Sequence, residues 1–199
     1  MPDEKEKRQK KNLISAAIGL AVIGFEAVRS MRIASEKRER EKKLYLDHIT
    51  GLPNPLRCGE FLEGSGPVDK GTGIFCFDLN NLRRINNSVG HDAGDQYIRR
   101  FALCLRASIP EDQFVGRFGG GMFLSITHGM DQETMGHCLE KVRKEMERES
   151  EKYPGMPLSF AAGYALAKEH PDSTMHELFH LAEKNMYIDK NHVDRKSVV

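Results

Sequence analysis

The sequence predicts an α+β domain in which helices pack over a sheet, preceded by a separate N-terminal helix. Three observations predict this class: a short aromatic-rich apolar run typical of a buried strand, strand-like runs on both sides of three glycines, and helical periodicity between and after them. The predicted order along the chain is strand, helix, hairpin, helix, strand, helix. This order favours a sheet with helices packed over it.

The predicted elements of the globular part follow from apolar patterns bounded by turn and capping residues. They are a strand at 73–79, a helix at 91–109, hairpin strands at 113–118 and 122–127, a helix at 131–150, a strand at 158–166 and a helix at 173–190. The stretch GLPNP at 51–55 is interpreted as a turn. Asp131 and Ser173 are predicted to be the N-caps of the last two helices.

The first 43 residues differ in composition from the rest, so we divide the chain into a helical segment, 1–43, and a globular domain, 44–199. Within the first segment, residues 13–28 are apolar and lie between charged runs. This stretch falls just short of the ~17–25 residues that usually span a bilayer. Two interpretations stay open, an anchor at the inner face of the cell membrane and a buried or dimer-forming helix, because a helix that is apolar on all sides needs lipid or a partner.

Charge and cysteine content limit the classes of function. The 30 basic and 29 acidic residues give a net charge of +1, which offers no electrostatic argument for nucleic acid as a partner. The four cysteines show no paired C-x-x-C spacing, and we interpret Cys76 and Cys104 as core residues of a protein in a reducing compartment. The globular part is therefore expected to be cytoplasmic.

Two turns concentrate groups that suit nucleotide chemistry. Asp78 lies at the C-terminal end of the first predicted strand, and three glycines, 119–121, lie at the tip of the predicted hairpin. A carboxylate in this place could hold Mg²⁺ over a nucleotide phosphate, and glycines would let the backbone approach that phosphate closely. The alternative is that Asp78 only forms a turn or caps a helix.

Four segments resemble, in order and spacing, the landmarks of the GGDEF family of diguanylate cyclases: DHITGLPNP, FDLNNLRRINNSVGHDAGD, RFGGGMF and AEKNMYIDK. The resemblance covers about residues 44–190, and the stretch INN…GHDAGD is its most specific part. Members of that family condense two GTP molecules into cyclic di-GMP. The resemblance implies a nucleotide-cyclase-like fold, with a central, mostly antiparallel sheet wrapped by helices and the signature on a β-hairpin.

The signature turn departs from the family pattern at its two acidic positions. Gly119 and Gly120 match the glycines that contact the nucleotide, but Gly121 and Met122 stand where the family has acids. We therefore assign no catalytic residue. Asp78 matches the family's metal-binding aspartate and Leu79 the residue whose carbonyl binds the metal, so one carboxylate of the usual group remains. Mg²⁺ binds through one or two carboxylates plus phosphates, and we expect its binding here to be weak.

The resemblance also implies a guanine nucleotide site. Asn86 and Asp95 match the positions that recognise guanine, and Lys190 matches the phosphate-binding lysine. The alternatives are a turn position for Asn86, a helix cap for Asp95 and a helix-dipole contact for Lys190. The family arginine four residues after the lysine falls on Asp194. The product-inhibition motif R-x-x-D is absent, so feedback binding of cyclic di-GMP through it is not expected.

Three functions stay open. The first is a catalytically impaired GGDEF signalling protein that binds GTP or another guanine nucleotide. The second is a slow diguanylate cyclase that makes cyclic di-GMP. The third is a non-catalytic dimerisation or membrane scaffold module, with a second copy of the chain or another protein as partner and residues 13–28 as the membrane contact.

Overall fold

The computed structural model describes the backbone of residues 4–196 and the side chains in that range, except those of 4–7, 9, 10, 12–18, 21, 22 and 192–196. The chain divides into two compact units, residues 1–44 and 45–199. The first contains all of helix α1 (Glu4–Tyr45) except its last residue. The large apolar side chains that the structure describes between 20 and 33 are largely exposed, for example Leu20 at 71% and Met31 at 72%.

A membrane-spanning helix is absent from the part of the chain that the structure describes, since none of its helices is long and apolar enough. The predicted apolar stretch 13–28 is helical as expected, being part of α1. The side chains of residues 13–18, 21 and 22 within it lie outside the described ones.

The second unit contains the remaining helices and strands. In chain order they are α2 (Pro55–Leu62), β1 (Thr72–Leu79), α3 (Leu82–Ser88), α4 (His91–Ser108), β2 (Phe114–Gly119), β3 (Met122–His128), α5 (Gln132–Lys152), β4 (Phe160–Leu166) and α6 (Met175–Lys196). The predicted order of strands and longer helices is confirmed. The short helices α2 and α3 were not predicted.

The four strands form one antiparallel sheet in the order β2-β3-β1-β4. Each face of the sheet carries an apolar cluster: α4 and α5 cover one face, and α2 and α6 cover the other. Side chains alternate between the two faces along β1, so Phe77 packs under α4 while Cys76 packs under α6. Burial on both faces explains why β1 reads as a continuous apolar run. The α+β fold and its antiparallel sheet are thus confirmed.

Capping side chains fix where the helices begin. Asp131 accepts a hydrogen bond from the Thr134 amide at 2.9 Å, which confirms it as the N-cap of α5. The assignment of Ser173 is wrong, because Thr174 precedes α6 and forms a reciprocal pair with Glu177. The Thr174 hydroxyl accepts from the Glu177 amide at 3.2 Å, and the Glu177 carboxylate accepts from the Thr174 amide at 2.8 Å. This capping box satisfies two amides that helix geometry would leave unpaired.

The turn cluster leads directly into α2. Asn54 is the N-cap, accepting from the Arg57 amide at 3.0 Å, and Pro55 occupies the first turn. A proline is favoured there because its fixed φ suits the helix and its missing amide proton is not needed.

All four cysteines are buried and free of disulfides, which confirms the core assignment of Cys76 and Cys104. Burial raises the pKa of the Cys58 thiol to about 12 and that of the Cys104 thiol to about 11. These thiols therefore stay protonated at neutral pH and serve as core residues.

Candidate functional site

The signature glycines form the turn between β2 and β3. Gly119 and Gly120 have φ values of +138° and +53°, a backbone region that residues with a Cβ rarely adopt. The Arg117 guanidinium donates to the Gly120 carbonyl from Nη2 at 2.8 Å and from Nε at 3.1 Å. The turn is thus held in shape by a buried side chain from its own strand.

Arg117 also connects this turn to the segment before α2. Its Nη1 lies 2.8 Å from Oδ2 of Asp47, and both side chains are about nine-tenths buried. Burial alone would raise the pKa of the Asp47 carboxyl, but hydrogen bonds from Thr50 and the charge of Arg117 together lower it. The carboxylate of Asp47 is therefore fully used in structure and is not a free ligand.

Gly121 packs closely against the end of β1. Its carbonyl accepts from the Leu79 amide at 3.0 Å. A Cβ on Gly121 would lie 3.1 Å from the Leu79 Cβ and 3.3 Å from the Leu79 carbonyl oxygen. Met122 is the cross-strand partner of Asp78, so these two side chains share a face of the sheet. The structure therefore brings together four of the positions singled out by the sequence: Asp78, Leu79, Gly121 and Met122.

Lys190 reaches this cluster from α6. Its ammonium forms a hydrogen-bonded ion pair with Oδ2 of Asp78, and the two side chains are 33% and 19% exposed. Because α6 continues to Lys196, Lys190 lies before the last turn of the helix, and the helix-dipole interpretation does not hold. Lys190, which the resemblance assigns to phosphate binding, is thus ion-paired with Asp78, which it assigns to metal binding. Asp194, four positions later, has its side chain outside the described residues.

The residues at this cluster do not fit a resident Mg²⁺. Asp78 contributes one carboxylate, already paired with an ammonium, and Gly121 and Met122 contribute none. Asn80, two residues on, is buried and donates from Nδ2 to the Ser159 hydroxyl at 3.0 Å. Among the described residues, no group of three His, Cys, Asp or Glu side chains could hold a metal ion.

The predicted guanine-binding residues lie on two consecutive helices. Asn86 is half-buried on α3, and Asp95 is half-buried in the first turns of α4. The alternatives for both are wrong, since Asn86 is helical and the N-cap position of α4 is Gly90. A Cβ on Gly94 would lie 1.8 Å from the Asn86 Oδ1, so the Asn86 side chain occupies space that only a glycine leaves open. The missing side chain of Gly94 therefore leaves the room that the Asn86 amide occupies.

Sequence analysis did not identify Arg117, Asp47 or Gly94 as parts of the site. An arginine two residues before a glycine turn, facing turn carbonyls, was a usable signal for Arg117. The other two contacts leave no periodic pattern in the sequence. Arg117 pairs with Asp47, 70 residues earlier, and Asn86 packs on Gly94.

The family model described as diguanylate cyclase, GGDEF domain, matches residues 44–196. Among curated relatives, the diguanylate cyclase DgcP of Pseudomonas aeruginosa is 26% identical over 157 residues, which are 77% of this chain and 23% of that protein. The cyclic di-GMP phosphodiesterase PdeR of Escherichia coli is 29% identical over 115 residues, 55% of this chain and 17% of PdeR. The chain thus spans less than a quarter of the length of either relative.

Solved structures share the fold. The coiled coil and GGDEF domain of DgcB from Caulobacter crescentus, in complex with c-di-GMP, superposes with a TM-score of 0.71 at 19% identity, covering 86% of this chain and 94% of that one. The diguanylate cyclase SiaD from Pseudomonas aeruginosa, in complex with its activator SiaC, gives 0.61 at 19% identity and covers 95% and 76%. The family-model match over most of the chain, joined to this fold and to the order of its motifs, shows that the chain belongs to the GGDEF domain family of diguanylate cyclases.

Proposed function

We propose that this chain is a cyclic di-GMP signalling protein that binds a guanine nucleotide and synthesises cyclic di-GMP poorly or not at all. The observation that carries the proposal is the signature hairpin itself. Its turn is packed against β1 and held by Arg117, yet it presents Gly121 and Met122 in place of two carboxylates.

The missing charge bears directly on the chemistry. Phosphoryl transfer assisted by metal ions needs carboxylates that hold the cations, and those cations neutralise the triphosphate and assist the attacking hydroxyl. Loss of one such stabilising group typically lowers the rate on the order of a hundredfold. Two positions lack an acid here, and the remaining Asp78 is paired with Lys190.

Guanine recognition is supported by Asn86 and Asp95, which match the positions that recognise guanine in the family. The carboxylate of Asp95 can accept hydrogen bonds from N1–H and the N2 amino group of guanine together, and the Asn86 amide can donate to O6 or N7. The contact of Asn86 with Gly94 favours one position of that amide. On this proposal, the two helices offer complementary donors and acceptors to a purine edge.

Calorimetric titration with GTP and with ATP tests the nucleotide proposal. We expect GTP to bind and ATP to bind at least tenfold more weakly, because adenine reverses the donor and acceptor pattern. Asp95→Asn should remove the preference, whereas Asp92→Asn, exposed on the same helix, should keep it. Absence of GTP binding at millimolar concentration would contradict the proposal.

A slow diguanylate cyclase is the second candidate, and the retained Asp78 and the relative DgcP favour it. Its test is chromatography of GTP reactions with Mg²⁺ or Mn²⁺. Cyclic di-GMP formed with either metal, and lost in Asp78→Asn, would support this candidate. Absence of product with both metals would exclude it.

We also propose that α1 pairs with α1 of a second copy of the chain, and that the GGDEF unit lies in the cytoplasm. The exposed apolar side chains of α1, including Ile23, Phe25 and Val28 at 65–68%, would leave water on pairing. Light scattering should give a dimer that Phe25→Glu with Val28→Glu converts to a monomer, while Arg29→Glu should leave it dimeric. A wild-type monomer would contradict the pairing.

A further inference from the structure

The ion pair between Lys190 and Asp78 joins residues 112 positions apart and closes the cluster at the end of β1. Asp78 is the next-to-last residue of β1, and Lys190 comes from α6, which packs on β1 and β4. Both side chains keep partial exposure, at 33% for Lys190 and 19% for Asp78, so a ligand in solution can reach them.

The local charges leave little attraction for a free divalent cation. Lys190 and Asp78 cancel each other, and the hairpin adds no acid. The neighbouring carboxylate of Asp189 accepts from the Ala162 amide at 2.9 Å and lies 3.4 Å from Arg143 Nη2. To bind Mg²⁺, Asp78 would have to give up the ammonium, and Mg²⁺ loses its waters reluctantly for a single carboxylate.

The ammonium, in contrast, is suited to bind an anion. Among the side-chain hydrogen bonds of the described residues, the Lys190 ammonium makes one, to Asp78. An ammonium carries three N–H donors. Two donors are thus available, and lysine binds phosphate as a point charge. The ion pair with Asp78 lies at the end of β1.

We propose that Lys190 takes the place of the divalent cation, so that the nucleotide phosphates bind at this site without metal. This rests on the proposed binding of a guanine nucleotide. Asp78 is then the counter-ion that the phosphates displace from the ammonium, rather than a metal ligand. The proposal predicts that chelation of metal leaves nucleotide affinity intact.

The near-isosteric substitution Asp78→Asn, which removes the carboxylate charge, separates the two accounts. At a metal site, it removes the last carboxylate and lowers GTP affinity at least tenfold in Mg²⁺. At an ammonium site, it releases Lys190 from a competing anion, so affinity for GTP in EDTA stays within about threefold of wild type or rises. Lys190→Gln should lower affinity about tenfold or more, the usual effect of losing a hydrogen bond to a charged group.

The experiment is calorimetric titration of the full chain with GTP in EDTA and in excess Mg²⁺. Lys184→Gln, an exposed lysine of the same helix, is the matched control and should bind as wild type. Thermal unfolding of each variant verifies that it folds. GTP binding in EDTA that survives Asp78→Asn and is lost in Lys190→Gln supports the proposal.

Other outcomes overturn it in distinguishable ways. GTP binding that requires Mg²⁺ and fails in Asp78→Asn overturns the metal-free site but leaves the proposed guanine-nucleotide function standing. Binding in EDTA that Lys190→Gln does not change also overturns it, because the phosphates are then held elsewhere. No GTP binding by wild type in either condition contradicts the proposed function itself.

Discussion

Arg117 and Asp47 form a buried ion pair that connects the signature turn to the chain just before α2. Arg117 Nη1 lies 2.8 Å from Asp47 Oδ2, and the rest of the guanidinium donates to the Gly120 carbonyl. Both buried charges have hydrogen-bond partners, since the Asp47 carboxylate also accepts from the Thr50 amide and hydroxyl. Arg117 therefore joins the glycine turn to the segment before α2 through buried polar contacts.

Arg117→Ala should lower the free energy of unfolding by about 3 kcal/mol, because it leaves the Asp47 carboxylate buried without its cation. Chemical denaturation measures the change. Arg148→Ala is the control, since Arg148 pairs with Glu145 at the surface with 70% of its side chain exposed, and its loss should cost less than about 1 kcal/mol. Equal effects of the two substitutions would contradict the structural role given to Arg117.

The lowered pKa of Asp47 predicts a pH dependence of stability. A carboxyl whose folded pKa lies below its unfolded value near 3.8 stabilises the fold above that value, and loses this contribution as the pH falls through the folded pKa. The stability difference between wild type and Asp47→Asn should therefore be largest at neutral pH and shrink below about pH 4. Thermal unfolding from neutral to acidic pH measures it. A difference that grows on acidification would contradict the assignment.

Gly94→Ala should weaken GTP binding about tenfold, because the new methyl group displaces the Asn86 amide from its position. In an Asn86→Ala background the same change should have little further effect on GTP affinity, since the displaced group is gone. Gly136→Ala, on α5 with open space around its Cα, should leave GTP affinity unchanged. Additive losses from Gly94→Ala and Asn86→Ala would mean that Gly94 does not act through Asn86.

Restoring the acids tests what else the site retains. Gly121→Asp with Met122→Glu should gain Mg²⁺-dependent turnover of GTP on the order of a hundredfold over the uncharged pair Gly121→Ala with Met122→Gln. The uncharged pair also reports the steric effect of a Cβ 3.1 Å from Leu79. Turnover equal to that of the uncharged pair would show that the loss extends beyond the two acids.

Much of the fold follows from local patterns. Burial on both faces makes β1 an unbroken apolar run, the glycine turn separates two strand-like segments, and Asp131 is followed by a helical pattern. The short helices α2 and α3 were missed because seven or eight residues give too little periodicity to identify. Ser173 and Thr174 are both common N-cap residues, and the reciprocal hydrogen bonds with Glu177 select Thr174.

The sequence predicts several residues of the site but not the tertiary contacts between them. The resemblance identified Asp78, Gly121, Met122 and Lys190 singly, from residue types in a known order. It could not show that Lys190 pairs with Asp78, because that contact depends on how α6 packs on the sheet. Contacts of this kind depend on tertiary geometry, and they determine whether a carboxylate is available to bind a metal ion.

The most direct test of the account is the conversion of GTP to cyclic di-GMP by the purified wild-type chain, followed by chromatography with Mg²⁺ and with Mn²⁺. The account predicts little or no product above that of a protein-free reaction, because the hairpin presents no carboxylate and Lys190 neutralises Asp78. Steady synthesis at about one turnover per second or faster, the ordinary range of enzymes, would contradict it.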